Sequence, residues 1–379
     1  MRIAVIGPTY PLRGGISQYT TLMVENLRRR HDVLFISFEK QYPQFLFPGR
    51  TQKDESVERI EADNEPILSF SNPLSWRKAA RRACEFDPGM VIFSWVNPAL
   101  AIQYRYISGY IKRRLPRGRI VFWCHNVVQH EHRSLGKLLT RIAFGRADHF
   151  IVTGRELERE LLSLRPGSAV SVVPLPILDV FPQTPSRAEA RNGLGLAEGD
   201  RVVLYFGFVR PYKGLINLLG AMPEAVRRIP SLRLLVVGEF WEDRDRYSRE
   251  IERTGIDRYV TIVDSYVPNE EVPRYFNSAD LVVLPYISAS ASGIVKIAYA
   301  FGKPVVTTTV GALPESVDDG RTGFLVPPGD PGAIARAMIE FFEPGRAGEF
   351  GRNVEEYRRR FSWERFTEAV ECIGEFGLW

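Results

Sequence analysis

Lysine is scarce in this chain. Only eight lysines stand among 50 basic residues, so arginine carries most of the positive charge. Cysteine is scarcer. Cys84, Cys124 and Cys372 are far apart, odd in number and without C-x-x-C spacing. That excludes a disulfide scaffold and a cysteine zinc site, and fits a reducing compartment. No stretch approaches the ~18 apolar residues of a spanning helix. The opening run Met1–Gly7 is too short for a signal peptide and ends in a glycine turn. A cytoplasmic protein is expected, meeting a membrane only peripherally, at its inner face. Short-period repeats and low-complexity segments are missing too. With 45% hydrophobic and 25% charged residues, a disordered chain and a collagen are excluded.

What is present points to more than one domain. At about 150 residues per domain, 379 residues suggest two or three. Short apolar runs at Ile3–Ile6, Val33–Ser37, Met90–Trp95, Ile120–Cys124, His149–Val152 and Ala169–Val173 alternate with helical patterns such as Ile16–Arg30, Leu100–Arg114 and Gly136–Arg146. That alternation reads as βαβ units in a parallel sheet. Pro174, Pro176, Pro182 and Pro185 then punctuate a linker over 174–200. Strands resume at Val202–Phe206, Leu232–Val237, Val260–Val263, Leu281–Pro285 and Pro304–Thr308, and the chain is mostly helical after Gly329. The expected fold class is α/β, two doubly wound Rossmann-like domains in tandem. The expected divisions are 1–180, 181–355 and a terminal helical segment 356–379 packing back on the first domain. Ligands of such sheets sit at the carboxyl ends of the strands, which makes the interdomain cleft the default site.

Four segments carry chemistry. Gly14 and Gly15 precede a helix after the first strand, where backbone N–H groups can point at a ligand. The spacing is neither G-x-G-x-x-G nor a P-loop. In Phe206–Gly214, Gly207 is followed by Arg210 and Lys213, two cations three apart between a strand and a helix. This pair suits a diphosphate. In Leu284–Lys296, a loop of small residues leads into a helix, with Ser292, Gly293 and Ile294 as phosphate donors and Lys296 in the first turn. A cation there is disfavoured by the helix dipole, and a bound anion would offset that cost. His125 follows a buried-looking strand, and His130-Glu131-His132 follows it without any further cluster to complete a metal site.

The array Gly14-Gly15, Phe206-Gly207 with Arg210 and Lys213-Gly214, Val236-Val237-Gly238, Ser292-Gly293, Gly302-Lys303-Pro304, Pro314-Glu315 and Thr322-Gly323 resembles glycosyltransferase family 4. The resemblance is strong over about 200–345 and mostly topological over 1–180. It implies the GT-B fold and a retaining, metal-independent transfer of a hexose-type sugar from a nucleoside-diphosphate-sugar to an acceptor hydroxyl, in polysaccharide or glycolipid synthesis. No separate cofactor is implied. The second domain would hold the donor and the first the acceptor. Arg210 and Lys213 would stabilise the leaving diphosphate, and His125 matches a family histidine near the reacting sugar. Gly14, Gly15, Gly207, Ser292, Gly293, Ile294, Lys296 and Glu315 would hold the donor. Two departures stand out. The family's paired glutamates fall at Ala289 and Ile297, and Phe208 takes the place of an arginine. The alternatives are an epimerase or phosphorylase on the same fold, or a non-catalytic nucleotide-binding protein.

Charge adds a partner. Residues 1–180 hold 26 basic and 17 acidic side chains, net +9, and the remainder is net −4. Arginine clusters near Trp76, Tyr104, Tyr106 and Tyr110, with the apolar loop Tyr42–Arg50, fit an anionic membrane surface and a lipid-linked acceptor. No nucleic-acid motif accompanies them.

Overall fold

The computed structural model describes residues 1–41, 52–127 and 133–376. These residues fall into two compact units. Unit 1 lies within Met1–Glu55, Arg59–Pro174 and Trp363–Trp379, and unit 2 comprises Ser56–Glu58 and Leu175–Ser362.

Unit 1 opens with β1 (Arg2–Ile6), α1 (Gly15–Arg28), β2 (Asp32–Lys40) and β3 (Glu65–Ser69). It continues through α2 (Pro73–Phe86), β4 (Met90–Trp95), α3 (Ala101–Arg114), β5 (Arg119–Cys124) and α4 (Arg133–Ala143). β6 (His149–Val152), α5 (Arg155–Leu164) and β7 (Val170–Val172) complete its continuous part. The seven strands form one parallel sheet in the order β3-β2-β1-β4-β5-β6-β7. β4 is buried at every position because helices cover both faces, so its sequence MVIFSW runs apolar with little alternation. Phe93 stacks on Phe122 with centroids 5.0 Å apart, and Phe144 and Phe150 close the same core. Right-handed crossovers put the helices after β3, β4, β5 and β6 on one face of the sheet and α1 on the other.

Unit 2 begins with α6 (Arg187–Gly193), β8 (Arg201–Phe206), α7 (Leu215–Arg228), β9 (Leu232–Val237) and α8 (Asp245–Thr254). Then come β10 (Val260–Val263), α9 (Val272–Ser278), β11 (Leu281–Leu284), α10 (Gly293–Ala300), β12 (Val305–Thr308) and β13 (Gly323–Val326). α11 (Pro331–Phe341) and α12 (Arg346–Tyr357) finish it, and α13 (Trp363–Phe376) belongs to unit 1, packed beside α1. The sheet is again all parallel, β10-β9-β8-β11-β12-β13.

Some expectations need correction. The linker over 174–200 contains a helix, α6, which Ser186 and Glu189 start with a reciprocal capping box. β3 and β13 are strands the apolar runs did not reveal. Tyr104 is not a surface aromatic. It is fully buried, donates to the Ser94 carbonyl at 3.1 Å and packs on Phe93. The loop Tyr42–Arg50 and His130, Glu131 and His132 lie outside the described residues.

Candidate functional site

In unit 2, two loops far apart in sequence are drawn together at the carboxyl end of the sheet. The turn after β8 runs onto the end of β11. Gly214, at φ 70°, sits so close that a Cβ would lie 1.9 Å from the Pro285 carbonyl oxygen. Only glycine fits there. Ile287 N–H donates to the Tyr212 carbonyl at 2.8 Å and ties the same pair of loops. Lys213 Nζ then donates to Tyr286 Oη at 2.7 Å, and Tyr286 Oη lies 3.3 Å from Ser292 Oγ. Ser292 is the N-cap of α10 and accepts from Ile294 N–H at 3.2 Å. Lys213, Tyr286, Ser292 and the first turn of α10 therefore form one connected polar group. Burial pushes the Lys213 ammonium below its ordinary pKa, an effect that Tyr212 opposes and nearby Arg210 reinforces. A partly desolvated cation beside a helix N-terminus has much to gain from an anion.

Arg210 lies on the same turn. Its guanidinium is 4.5 Å from the Trp241 ring centroid and 5.9 Å from that of Tyr212. Trp241 in turn packs on Phe208, with centroids 4.2 Å apart, and Phe208 stacks with Tyr266 at 6.3 Å. Phe208, Trp241 and Tyr266 follow β8, β9 and β10, and all three are half-buried, so a tier of aromatic rings is partly open beside the cations. Gly207, at φ 109°, leads from β8 into this turn. Trp241, Tyr266 and Tyr286 are site residues the sequence reading missed. Their spacing carries no motif, and only the parallel order of β8, β9 and β10 makes the rings neighbours.

Other residues differ from expectation. Ile294 spends its N–H on the Ser292 cap in this structure. Lys296 is only 2% exposed, and its amine lies 3.1 Å from the Phe361 ring centroid and 3.3 Å from Ser316 Oγ. Its ammonium is therefore not presented beside Ser292. It is covered on the inner side of α10, where burial pushes its pKa well down. Glu315, beside Ser316, is half-buried on a loop whose Ala312 N–H donates to the Ser290 carbonyl. That loop thus lies against the small-residue segment before α10. Ala289 is half-buried and Ile297 is buried, apolar side chains at both positions.

In unit 1, Gly14 caps α1 at φ 120° with no side-chain bond, and Gly15 is exposed. A Cβ at either would meet no atom within 4 Å. His125 directly follows β5 in an aromatic setting, its ring 4.3 Å from Trp123 and 6.3 Å from Tyr19. It is 9% exposed, and its Nε2 has no hydrogen-bond partner. Burial pushes its pKa down to about 3, so at neutral pH the imidazole is uncharged. It can exchange a hydrogen bond with a hydroxyl but carries no cationic charge. Asn126 follows, its Nδ2 donating to the Val96 carbonyl at 2.7 Å while Oδ1 lacks a partner. Among the described residues, no group of three His, Cys, Asp or Glu side chains could hold a metal ion.

Two families match this chain. Residues 13–177 match the one described as Glycosyltransferase Family 4, and residues 200–343 the one described as Glycosyl transferases group 1. A D-inositol 3-phosphate glycosyltransferase 2 of Catenulispora acidiphila is 33% identical over 239 residues, 60% of this chain and 56% of the relative. A D-inositol 3-phosphate glycosyltransferase of Mycobacterium bovis is 32% identical over 245 residues, 61% of this chain and 50% of the relative. The chain thus spans about half the length of the curated relatives it matches. Among solved structures, sucrose-phosphate synthase from Thermosynechococcus elongatus superposes with a TM-score of 0.72 at 20% identity, covering 98% of both chains. Anabaena HepE in complex with UDP-glucose gives 0.74 at 19% identity, covering 97% of this chain and 98% of that one. At such identities the likeness is one of fold, and the fold is GT-B.

Proposed function

The chain belongs to glycosyltransferase family 4, and from that premise we propose that it moves a hexose-type sugar from a nucleoside-diphosphate-sugar to an acceptor hydroxyl. The observation that carries the proposal is the Lys213–Tyr286–Ser292 connection, which gathers a lysine amine, a hydroxyl and a helix N-terminus in unit 2. Phosphate oxygens suit all three. Arg210 adds a second cation on the same turn, and the rings of Phe208, Trp241 and Tyr266 offer a flat surface for the nucleoside. Binding of UDP-glucose by HepE, which has the same fold, supports a nucleotide-sugar donor.

In the reaction the bond from the sugar's anomeric carbon to the diphosphate breaks and a bond to the acceptor oxygen forms. The acceptor's proton passes to an oxygen of the departing diphosphate, on which negative charge gathers as the bond breaks. Lys213 and Arg210 meet that charge where it develops. Cationic side chains take the part a divalent ion plays elsewhere, so the transfer proceeds without a metal, and with retention as in the resemblance drawn above. With Ala289 and Ile297 at the usual glutamate positions, the aromatic tier and backbone groups hold the nucleoside. Unit 1 binds the acceptor, and neutral His125 contributes a hydrogen bond to a hydroxyl. The product belongs to polysaccharide or glycolipid synthesis, and its acceptor is lipid-linked at the inner membrane face.

The test is a thermal-shift and turnover panel of nucleoside diphosphates and their sugars. One nucleotide series should stabilise the protein and one sugar should be released. Lys213→Ala should slow turnover by about 10²–10³-fold, the range seen when one charge-stabilising donor is removed. If no donor binds or turns over, and Lys213→Ala changes nothing, the reading fails.

A further inference from the structure

Tyr286 stands two residues beyond β11, and its backbone is held from both sides. Its N–H donates to the Leu284 carbonyl at 2.9 Å, and its carbonyl accepts from Thr308 Oγ1, at the end of β12, at 2.6 Å. On the other side, the bond from Ile287 N–H to the Tyr212 carbonyl and the close approach of Gly214 to Pro285 fix it against the turn after β8. β8 and β12 are the two strands beside β11, so the sheet itself sets the phenol. The side chain is 1% exposed, and close packing leaves the ring little freedom. Lys213 Nζ lies 4.0 Å from the centroid of this ring and 2.7 Å from its Oη. Tyr212 and Arg210, on the lysine's own turn, are the charged and titratable groups that act on the amine, and no carboxylate is among them. Tyr205 on β8 faces Tyr212 and Tyr286 from below, along with Tyr247 and Glu242.

An ammonium group donates hydrogen bonds and cannot accept one. Tyr286 Oη is therefore the acceptor in its bond with Lys213, and its own proton is available to Ser292 Oγ, 3.3 Å away. Ser292 Oγ also accepts from Ile294 N–H at 3.2 Å. With two hydrogens directed at its oxygen, the Ser292 hydroxyl keeps its own proton for a ligand oxygen. Donation thus runs from Lys213 through Tyr286 to Ser292 and ends on a donor. A carboxylate in place of the phenol would also hold the amine, but as a neutral ion pair that a phosphate would have to break. The phenol holds the ammonium without cancelling its charge. Burial pushes the Tyr286 pKa well up, an effect that Ser292 opposes, so the oxygen stays uncharged at neutral and mildly alkaline pH.

We propose that Tyr286 is a positioning residue for the transfer, whose phenol oxygen holds the Lys213 amine charged beside the N-terminus of α10 while its proton leaves the Ser292 hydroxyl as a donor to the diphosphate. This deepens the transferase reading and rests on it for the identity of the anion. Tyr286 itself meets the anion through Lys213 and Ser292.

The test compares the full chain with Tyr286→Phe, which keeps the ring and removes only the hydroxyl. Competitive acetylation of Lys213 across pH, read by mass spectrometry, follows the amine's own titration without any ligand. Having lost an acceptor that favours the ammonium, Lys213 of the variant should titrate at lower pH and react about tenfold faster at neutral pH. Calorimetry with UDP and GDP should show about tenfold weaker binding to the variant. Its affinity should also begin to fall at lower pH than the parent's, because the charged amine is the form that meets phosphate. Comparing the two proteins cancels the ligand's own titration. Tyr205→Phe removes from β8 a buried hydroxyl that has no hydrogen-bond partner, and it should match the parent in both assays. Melting temperature separates out a folding defect, which would leave the Lys213 titration where it is. An unshifted titration in Tyr286→Phe, or an equal shift in Tyr205→Phe, overturns the proposal. So does nucleotide binding of the same strength and pH dependence in parent and variant. A shifted titration in a protein that neither binds nor turns over any sugar nucleotide would sink the transferase reading and leave the hold on Lys213 standing. Turnover with an unshifted titration would do the reverse.

Discussion

His125 shows how burial sets what a side chain can do. Its folded pKa, about 3, lies below the roughly 6.5 of an exposed histidine, because the charged imidazolium would lose its water among Trp123 and Tyr19. The unfolded chain therefore binds the proton first as pH falls. The stability that neutral His125 contributes is present above pH ~6.5 and is lost progressively below it. Between pH 6.5 and 5, this one residue should cost about 2 kcal/mol of unfolding free energy. His31 and His149 shift the same way, so the effect is read as the difference between the parent protein and His125→Asn in urea unfolding at the two pH values. A variant as pH-dependent as the parent would place the shift elsewhere. Lys296 teaches the complementary lesson. Sequence put it in a first helical turn, which it occupies, but Phe361 covers its amine, and nothing near residue 296 announces a ring 65 positions away.

At the scale of elements, apolar runs gave β4, β6, β9 and β10 at their observed bounds; β4, β6 and nearly all of β9 are buried, so few polar residues interrupt them, while β10 is a partly exposed edge strand whose VTIV run is still mostly apolar. β3 is a partly exposed edge strand containing Glu65 and Pro66, and β13 opens on a glycine that passes within contact of the Val305 carbonyl. Neither has a continuous buried face to leave a pattern. α6 shows what fastens an element that local signals called a linker. Asp280, just before β11, accepts from Arg187, from Arg191 and from Val202 N–H. Arg191 is 3% exposed and also donates to the Ser278 and Asp200 carbonyls. Asp280→Asn keeps the shape but leaves the Arg191 charge buried without its partner. Chemical unfolding should show a loss of roughly 3 kcal/mol, the usual cost of breaking a buried pair. A change within experimental error would mean that the carbonyls alone hold α6.

At the scale of the molecule, the last helix belongs to the unit that begins the chain. Trp363, Phe366, Val370 and Ile373 are at most 7% exposed, and α13 packs beside α1. Ending the chain at Ser362 would withdraw four large apolar side chains from unit 1, a loss of at least about 6 kcal/mol. Hydrogen exchange should then accelerate across residues 1–174 while the strands of unit 2 stay protected. Faster exchange confined to unit 2 would refute that assignment. The sequence by itself determined the α/β class, the two parallel sheets and the uneven charge, because periodicity, loop glycines and net charge are local or additive. It also marked Lys213 and Ser292. Only the tertiary structure decided that Tyr286 joins them, that Phe208, Trp241 and Tyr266 form one tier, and that Lys296 turns inward. Each of these depends on which distant strand or helix lies alongside, and strand order is fixed by packing of the whole sheet rather than by any residue's neighbours in sequence.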